Sequence, residues 1–358
     1  MTTRHLLVWS IAMGMSLGDA IEVTLFGESH GECVGALLEG MPIGVEVNVD
    51  TLIEAMEKRR PGGPLSSRRK ESDECKIMSG VYQGKTTGDP ILLLIENKDV
   101  RSSDYSFLPD HPRPGHADLP AAVRSDGHAD PRGGGSNSAR LTAGLVAAGA
   151  ITSALLENIL IEAGVVRIGD VCSSEWGNSD PKTRCRDANV SELMVTAIEQ
   201  ARKELDSLGS QVEVRITGLP IGIGEPWFDG IEPALARGLM AIPAARAVEF
   251  GRGVQCAGMK GSQHNDDWMP DMQLSKNSDG ALGGISTGAP IRAKITFKPP
   301  SSIAKEQMTL HLPSGERKKL QIKGRHDPVI GPRAVPVVEA VCSLVIADLM
   351  QIRSDANG

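Results

Sequence analysis

The stretch Leu141-Thr-Ala-Gly-Leu-Val-Ala-Ala-Gly-Ala-Ile151-Thr-Ser-Ala-Leu-Leu-Glu-Asn-Ile-Leu160-Ile-Glu-Ala163, followed by Gly164, decides the fold. Its Ala and Leu content favours a helix, and Gly164 is a natural stop. Such a helix has almost no polar face, so it must be covered on all sides. Working outward, Ile21-Glu-Val-Thr-Leu-Phe26 alternates at period two, and Val45 to Val49 does so again. Pro90-Ile-Leu-Leu-Leu-Ile95 is continuously apolar, as in a strand covered on both faces. Further strands are expected at Gln211 to Ile216 and Ile291 to Phe297. Helices are expected at Thr51 to Arg60 with Asp50 as cap, at Ser191 to Leu208 before Gly209, and at Pro336 to Ile352. No βαβ rhythm, repeat or linker is read, so the expectation is a single α+β domain over 15–358, its helices packed between antiparallel sheets.

Composition narrows the function. The 358 residues are 40% hydrophobic and 23% charged, enough to bury a core. Only 3% are aromatic, which argues against a stacking platform for single-stranded nucleic acid. The net charge of −7 argues against a general polyanion binder, so no nucleic-acid partner is expected and any anion site is local. Six scattered cysteines (Cys33, Cys75, Cys172, Cys185, Cys256 and Cys342) read as reduced thiols of a cytoplasmic protein. No uninterrupted run of about 18 apolar residues is found, so no membrane span is expected. Leu6 to Leu17, apolar behind Arg4, faintly resembles a secretory signal. The preferred reading makes residues 1–14 an unpacked extension or a mis-called start, with Met13 or Met15 as the true one.

Several segments suggest chemistry. Lys58-Arg59-Arg60 and Arg68-Arg69-Lys70 flank the turn Pro61-Gly62-Gly63-Pro64. Arginine forks pair bidentately with carboxylate and phosphate, so this cluster suits a small polyanion, although a solvated basic loop fits it equally. Gly80-Val-Tyr-Gln-Gly84-Lys85-Thr86 nearly matches a phosphate-binding loop but has one residue too few between glycines, and is read as a decoy. His30 follows a strand in Gly27-Glu-Ser-His-Gly31. His116 lies in Arg113-Pro-Gly-His-Ala-Asp118 and His326 in Gly324-Arg-His-Asp-Pro328. Each turn holds a titratable group rigidly beside a charge. His116 and His128 form two His-Ala-Asp units, which leaves a metal reading open, though no metal site is assigned. Arg132-Gly-Gly-Gly135-Ser-Asn-Ser-Ala-Arg140 opens the apolar helix and offers amides and hydroxyls to an anion, with Ser138 as cap.

Together with Ser79-Gly-Val81, Gly84 to Gly88, Val248-Glu-Phe-Gly251, Leu282 to Gly288 and Phe297-Lys-Pro-Pro-Ser-Ser302, these collinear blocks resemble the chorismate synthase family from about Met15 to Arg353. The resemblance implies a β-α-β sandwich, a homotetramer, and the last step of the shikimate pathway. In that step 5-enolpyruvylshikimate 3-phosphate loses phosphate and a C6 hydrogen in a 1,4-anti elimination. It implies reduced FMN as cofactor, NADPH only where flavin reduction is intrinsic, and otherwise an external flavin reductase. It also implies His30 as proton donor at the leaving phosphate, His116 at the flavin N1 side, and Asp327 acting with flavin N5. Substrate arginines would be Arg59, Arg60, Arg113, Arg140 and Arg333. Flavin contacts would be Ser136, Asn137, Ser138, Ala244, Gly283, Lys298, Pro299, Pro300, Ser301, Ser302 and Arg325. The sequence departs from the family at Ser136, where an arginine or histidine is common, at Leu65, where an arginine is common, and over Ser125 to Pro131. Two other readings stand beside this one: a metal-dependent phosphatase using the His-Ala-Asp units, and a non-catalytic anion- or RNA-binding module around 58–70.

Overall fold

The structure is a computed structural model that describes residues 14–60, 65, 71–99, 101–270, 274, 280–322, 324 and 326–357. Two five-stranded antiparallel sheets enclose the helices. The first runs in the order Ser16–Leu17, Glu22–Gly27, Cys33–Glu39, Ile91–Glu96, Cys75–Ile77. The second runs Val171–Cys172, Leu160–Ile168, Ser210–Thr217, Ile291–Phe297, Ala245–Phe250. Helix Thr142–Thr152 packs on the first sheet and helix Gly331–Asn357 on the second, and the two pack on each other. Val49–Arg59 and Ile231–Ala241 complete the helical layer. The expected sandwich is therefore present.

The two halves of the chain are built alike, although no repeat was expected. Each has two strands, a helix, a strand, a short hairpin, a strand and a long central helix, and the four shared strands take the same order in both sheets. Gly40-Met-Pro-Ile-Gly44 answers to Gly218-Leu-Pro-Ile-Gly222, and Gly80 to Ile91 answers to Gly280 to Ile291. The bonding repeats atom for atom. Thr86 Oγ1 donates to Pro42 O at 2.5 Å and accepts from Val45 N at 2.9 Å. Ser286 Oγ donates to Pro220 O at 2.6 Å and accepts from Ile223 N at 2.8 Å. Gly40 and Gly218 have φ of +80° and +81°, and a Cβ on either would lie about 2 Å from a carbonyl oxygen, so only glycine fits. The offset between matching glycines is constant within each block but is 178 residues in the first (218 − 40) and 200 in the second (280 − 80), so no fixed period marks the duplication. The near phosphate loop Gly80–Gly84 is the hairpin of the first half.

Other local expectations shift for identifiable reasons. The apolar helix ends at Thr152 with one more turn to Leu155, and Leu160–Ile168 is a strand. Its β-branched residues Ile161, Val165 and Ile168 pair with Ser210–Thr217, Val166 falls at a bulge, and the chain must cross there to the second sheet. Val45 to Val49 makes only one bridge, at Glu46, before Val49 starts a helix. That helix is capped by Asn48, whose Oδ1 accepts from Asp50 N and Thr51 N at 2.9 and 3.1 Å. In Ile91–Glu96 only alternate residues are fully buried, since one face alone meets the helices. The helix expected over Ser191 to Leu208 spans Ala188–Lys203. The last helix begins at Gly331, ahead of Pro336, and among the described residues it is the one long and apolar enough, by length and composition, to cross a bilayer. Of its most apolar window, 78% is buried inside the fold.

Contacts advance together along the two central helices: Gly149 meets Ala340, and the Thr152 and Ser343 hydroxyls bond at 3.0 Å. The helices thus run in the same direction and start at the same end of the molecule. A Cβ on Gly149 would lie 2.5 Å from Ala340 Cβ. Gly149→Val is expected to force the pair apart and cost about 3 kcal/mol by overpacking, read as a lower urea midpoint with an unchanged slope.

Candidate active site

At the shared N-terminal end of the central helices, one carboxylate organises the arginines. Asp73, fully buried with φ of +46°, takes Arg59 Nη1 at 2.7 Å on one oxygen and Arg140 Nη1 on the other. Arg59 also donates Nε to Thr142 Oγ1 at 3.2 Å and Nη2 to the carbonyls of Ala139 and Arg140. Arg140 donates Nε to Asn97 Oδ1 at 2.8 Å and Nη2 to Glu96 O, with Glu71 3.8 Å away. Burial lowers the Arg59 pKa to about 10, with Asp73 opposing and the Arg333 and Arg140 charges adding to the fall. Burial would raise the Asp73 carboxyl, but the two guanidiniums hold it below the ordinary 3.8. Arg59 and Arg140, expected to meet substrate, are thus engaged within the chain, as posts of the site wall.

The same network places the histidines. Asn97 Nδ2 donates to Glu28 O and Gly31 O at 2.9 Å each, clamping the turn that carries His30. His30 Nδ1 meets Ser102 Oγ at 3.2 Å, and its ring stands edge-on to buried Tyr105 with centroids 5.0 Å apart. The Arg113 guanidinium lies 5.4 Å from the same Tyr105 ring. Arg113 is itself buried, gripping Asp118 at 2.6 and 2.8 Å and Ser302 Oγ at 3.1 Å. His116 Nδ1 sits 2.7 Å from Asp118. Burial would raise the Asp118 carboxyl, but the Arg113 and His116 bonds hold it far below the usual carboxylate range. The triple glycine runs between the two imidazoles: a Cβ on Gly133 would lie 2.6 Å from His30 Cδ2, and one on Gly134 would lie 3.2 Å from His116 Cε1. All three glycines have positive φ, so their amides can line a cavity no other residue would leave open.

Asp327 enters from the second half of the chain, bonded at 2.5 Å to Arg333 on the first turn of the last helix. Gly324, at the head of its turn, lies near Asp104 in the Ser102–Tyr105 turn, so the His30, His116 and Asp327 turns gather around that one element. The Arg333 Nε is buried with no hydrogen-bond partner among the described residues. Lys298 Nζ and Ser301 Oγ both donate to Gly115 O beside His116, and Lys298 N donates to Ala244 O. Burial, with Arg246 nearby, lowers the Lys298 pKa. Pro300 O accepts from Ser207 Oγ. Ser138 caps the turn before the central helix, its hydroxyl accepting from Arg140 N at 3.2 Å.

Ser136 and Asn137 line a cavity of about 180 Å³ together with His116, Asp118, Gly134 and Gly135, walled on its apolar side by Leu108, Pro109, Ala122 and Leu312. Two expected residues stand apart from this gathering. Arg60 is on the surface with Glu57 and Ser72 O. Gly283 is at the turn of the hairpin whose Gly284 and Ser286 meet Gly230 and Ile223, at the far end of strand Ile291–Phe297 from Lys298. Arg325, Pro61 to Pro64 and Arg68 to Lys70 lie outside the described residues. Leu65 is a core residue. The carboxylates of the two His-Ala-Asp units are each taken by an arginine, Asp118 by Arg113 and Asp130 by Arg132, and no group of three metal-ligating side chains converges among the described residues. Sequence reading assigned no role to Asp73, Asn97, Ser102 and Tyr105, and gave Asp118 only that of a metal ligand in the phosphatase reading. Asp73, close after the basic run, and Asp118, in the motif that holds Arg113 and His116, left a signal.

Because the folded Asp73 carboxyl is depressed, its contribution is complete well above pH 3.8 and fades as pH falls below that value. Asp73→Asn is expected to cost about 3–5 kcal/mol at pH 7 by leaving two buried cations unpaired, and the gap to the parent should narrow in acid. Urea titrations at pH 7 and at pH 3 check both.

Residues 21–351 match the family model for chorismate synthase. The chorismate synthase of Aeropyrum pernix is 47% identical over 354 residues, covering 94% of this chain and 93% of that protein. That of Thermococcus gammatolerans is 43% identical, covering 95% and 99%. A crystal structure of chorismate synthase superposes with a TM-score of 0.72 at 26% identity, covering 94% of this chain and 93% of that one. Collinear motifs, sandwich and gathered turns thus have one common explanation: the chain belongs to the chorismate synthase family.

Proposed function

We propose that this carbon–oxygen lyase converts 5-enolpyruvylshikimate 3-phosphate to chorismate with reduced FMN, and that His30, His116 and Asp327 handle its protons. The observation that carries the reading is the meeting of those three turns where two central helices begin. Helix N-termini favour anions, and the substrate carries a phosphate and two carboxylates. Of the three arginines that meet there, Arg59 and Arg140 are offset by Asp73, so Arg333, with its open Nε, has donor capacity for substrate.

The residues present fit a flavin. The cavity beside His116 has an apolar wall and a polar wall of glycine amides, Ser136 and Asn137, as a flat ring with one hydrogen-bonding edge requires. Ser136, Asn137, Lys298 and Ser301 would hold it. Reduced flavin, when bound, supplies the electron density that C–O cleavage needs and receives the C6 hydrogen. The chain does the rest: His30, oriented by Ser102, gives a proton to the departing phosphate. His116 sets the protonation of its side of the cavity, and Asp327 is held ready by Arg333. No net oxidation results.

We extend the reading to a homotetramer in the cytoplasm, with NADPH or an external reductase as the electron source. The unpaired state of all six cysteines supports a reducing compartment, and exposed Trp227 and Phe228 support self-association. Light scattering gives the assembly. Anaerobic assay of chorismate formation with and without dithionite-reduced FMN is expected to give product only with reduced flavin, and NADPH alone tests intrinsic reduction. His116→Ala and Asp327→Asn should each lose roughly 10²–10⁴-fold in turnover with folding intact. Near-normal rates in both would remove these roles.

A further inference from the structure

Asp118 has four close donors or donor candidates and almost no solvent. One oxygen accepts from Arg113 N at 2.9 Å and Arg113 Nε at 2.8 Å. The other accepts from Arg113 Nη2 at 2.6 Å and lies 2.7 Å from His116 Nδ1. Arg113 Nη2 is also 3.1 Å from that same Nδ1. The ring nitrogen thus faces two competing partners, and it can accept from the guanidinium or donate to the carboxylate. Arginine never surrenders its proton, and it also keeps Asp118 ionised. An unprotonated Nδ1 would set its lone pair against a carboxylate oxygen at 2.7 Å, so donation to Asp118 is the arrangement that avoids repulsion.

We infer that Asp118 is the positioning residue of His116: with Arg113 fixed behind it, it holds the proton on Nδ1 and leaves Nε2, on the Gly134 side, as the nitrogen that exchanges protons with whatever fills the cavity. The other charged groups facing this space are Glu28 and Asp130 in the cavity wall and Lys298 on Gly115 O. None of them reaches Nδ1 at hydrogen-bond distance in this arrangement. Arg113, expected to meet substrate, acts instead through Asp118. The inference rests on the proposed role of His116, but the tautomer readout in its test does not.

The full-length protein labelled with ¹⁵N at histidine, without flavin or substrate, is read by ring-nitrogen NMR, with His116→Ala identifying the resonance among the eight histidines. Protonated Nδ1 in neutral His116 is expected, and a proton on Nε2 in the parent overturns the inference whatever any variant does. In Asp118→Asn the amide oxygen must face the paired Arg113 N and Nε donors, turning its NH₂ toward Nδ1. The tautomer is then expected to reverse, with kcat for chorismate falling about 10–100-fold, the usual effect of losing such a partner. Reversal with full turnover, or lost turnover with the tautomer unchanged, overturns it. Should the variant fail to fold, the parent spectrum still decides. If the parent shows Nδ1–H while the reduced-flavin assay yields no chorismate, the proposed reaction fails and the positioning stands.

Discussion

A single carboxylate between two guanidiniums, Asp73 between Arg59 and Arg140, ties the parts of this protein together. Arg59 ends a helix of the first half, Arg140 precedes the first central helix, and Asn97, held by Arg140, clamps the His30 turn. Two cations this close would repel and would resist burial, and one shared anion with satisfied donors makes the arrangement tenable. The posts are then rigid enough that the turns they hold arrive in fixed positions. Rigidity of this kind matters where charge develops during reaction, because dipoles already in place need no reorganisation.

The duplication explains where that chemistry sits. Each half alone supplies a sheet, a central helix and an arginine at its start, and the site forms where the two starts meet. The first half contributes the imidazoles and the glycine amides, and the second contributes Asp327, Arg333 and the Lys298 to Ser302 loop. Symmetric scaffolding carries asymmetric loops, so the fold is economical while the site can recognise a ligand with different groups on each side.

Much of this was legible in the residues. The all-apolar stretch after Leu141 demanded cover on every side, which two sheets provide, and the short motifs around His30, His116 and Asp327 marked turns that do converge. The length of that helix was not legible, because no Gly or Pro between Ser153 and Ala163 stops it and only pairing across to Ser210–Thr217 makes Leu160–Ile168 a strand. Which arginines are committed internally was hidden as well: Arg59, Arg113 and Arg140 read as ligands for an anion, and although Asp73 and Asp118 lie near them in sequence, nearness along the chain does not say which side chains pair. The repeat escaped because insertions of unequal length separate its matching glycines.

The meeting of the two central helices at one end has a mechanical side. A ligand lodged there touches both halves of the chain, so its binding energy opposes any hinge-like parting of one half from the other. The segment that joins them, from Ser153 to Leu160, crosses the surface with Glu157, Asn158 and Leu160 exposed. That joint is exposed enough for a protease to reach its backbone, so its cutting rate is expected to report how firmly the halves are held.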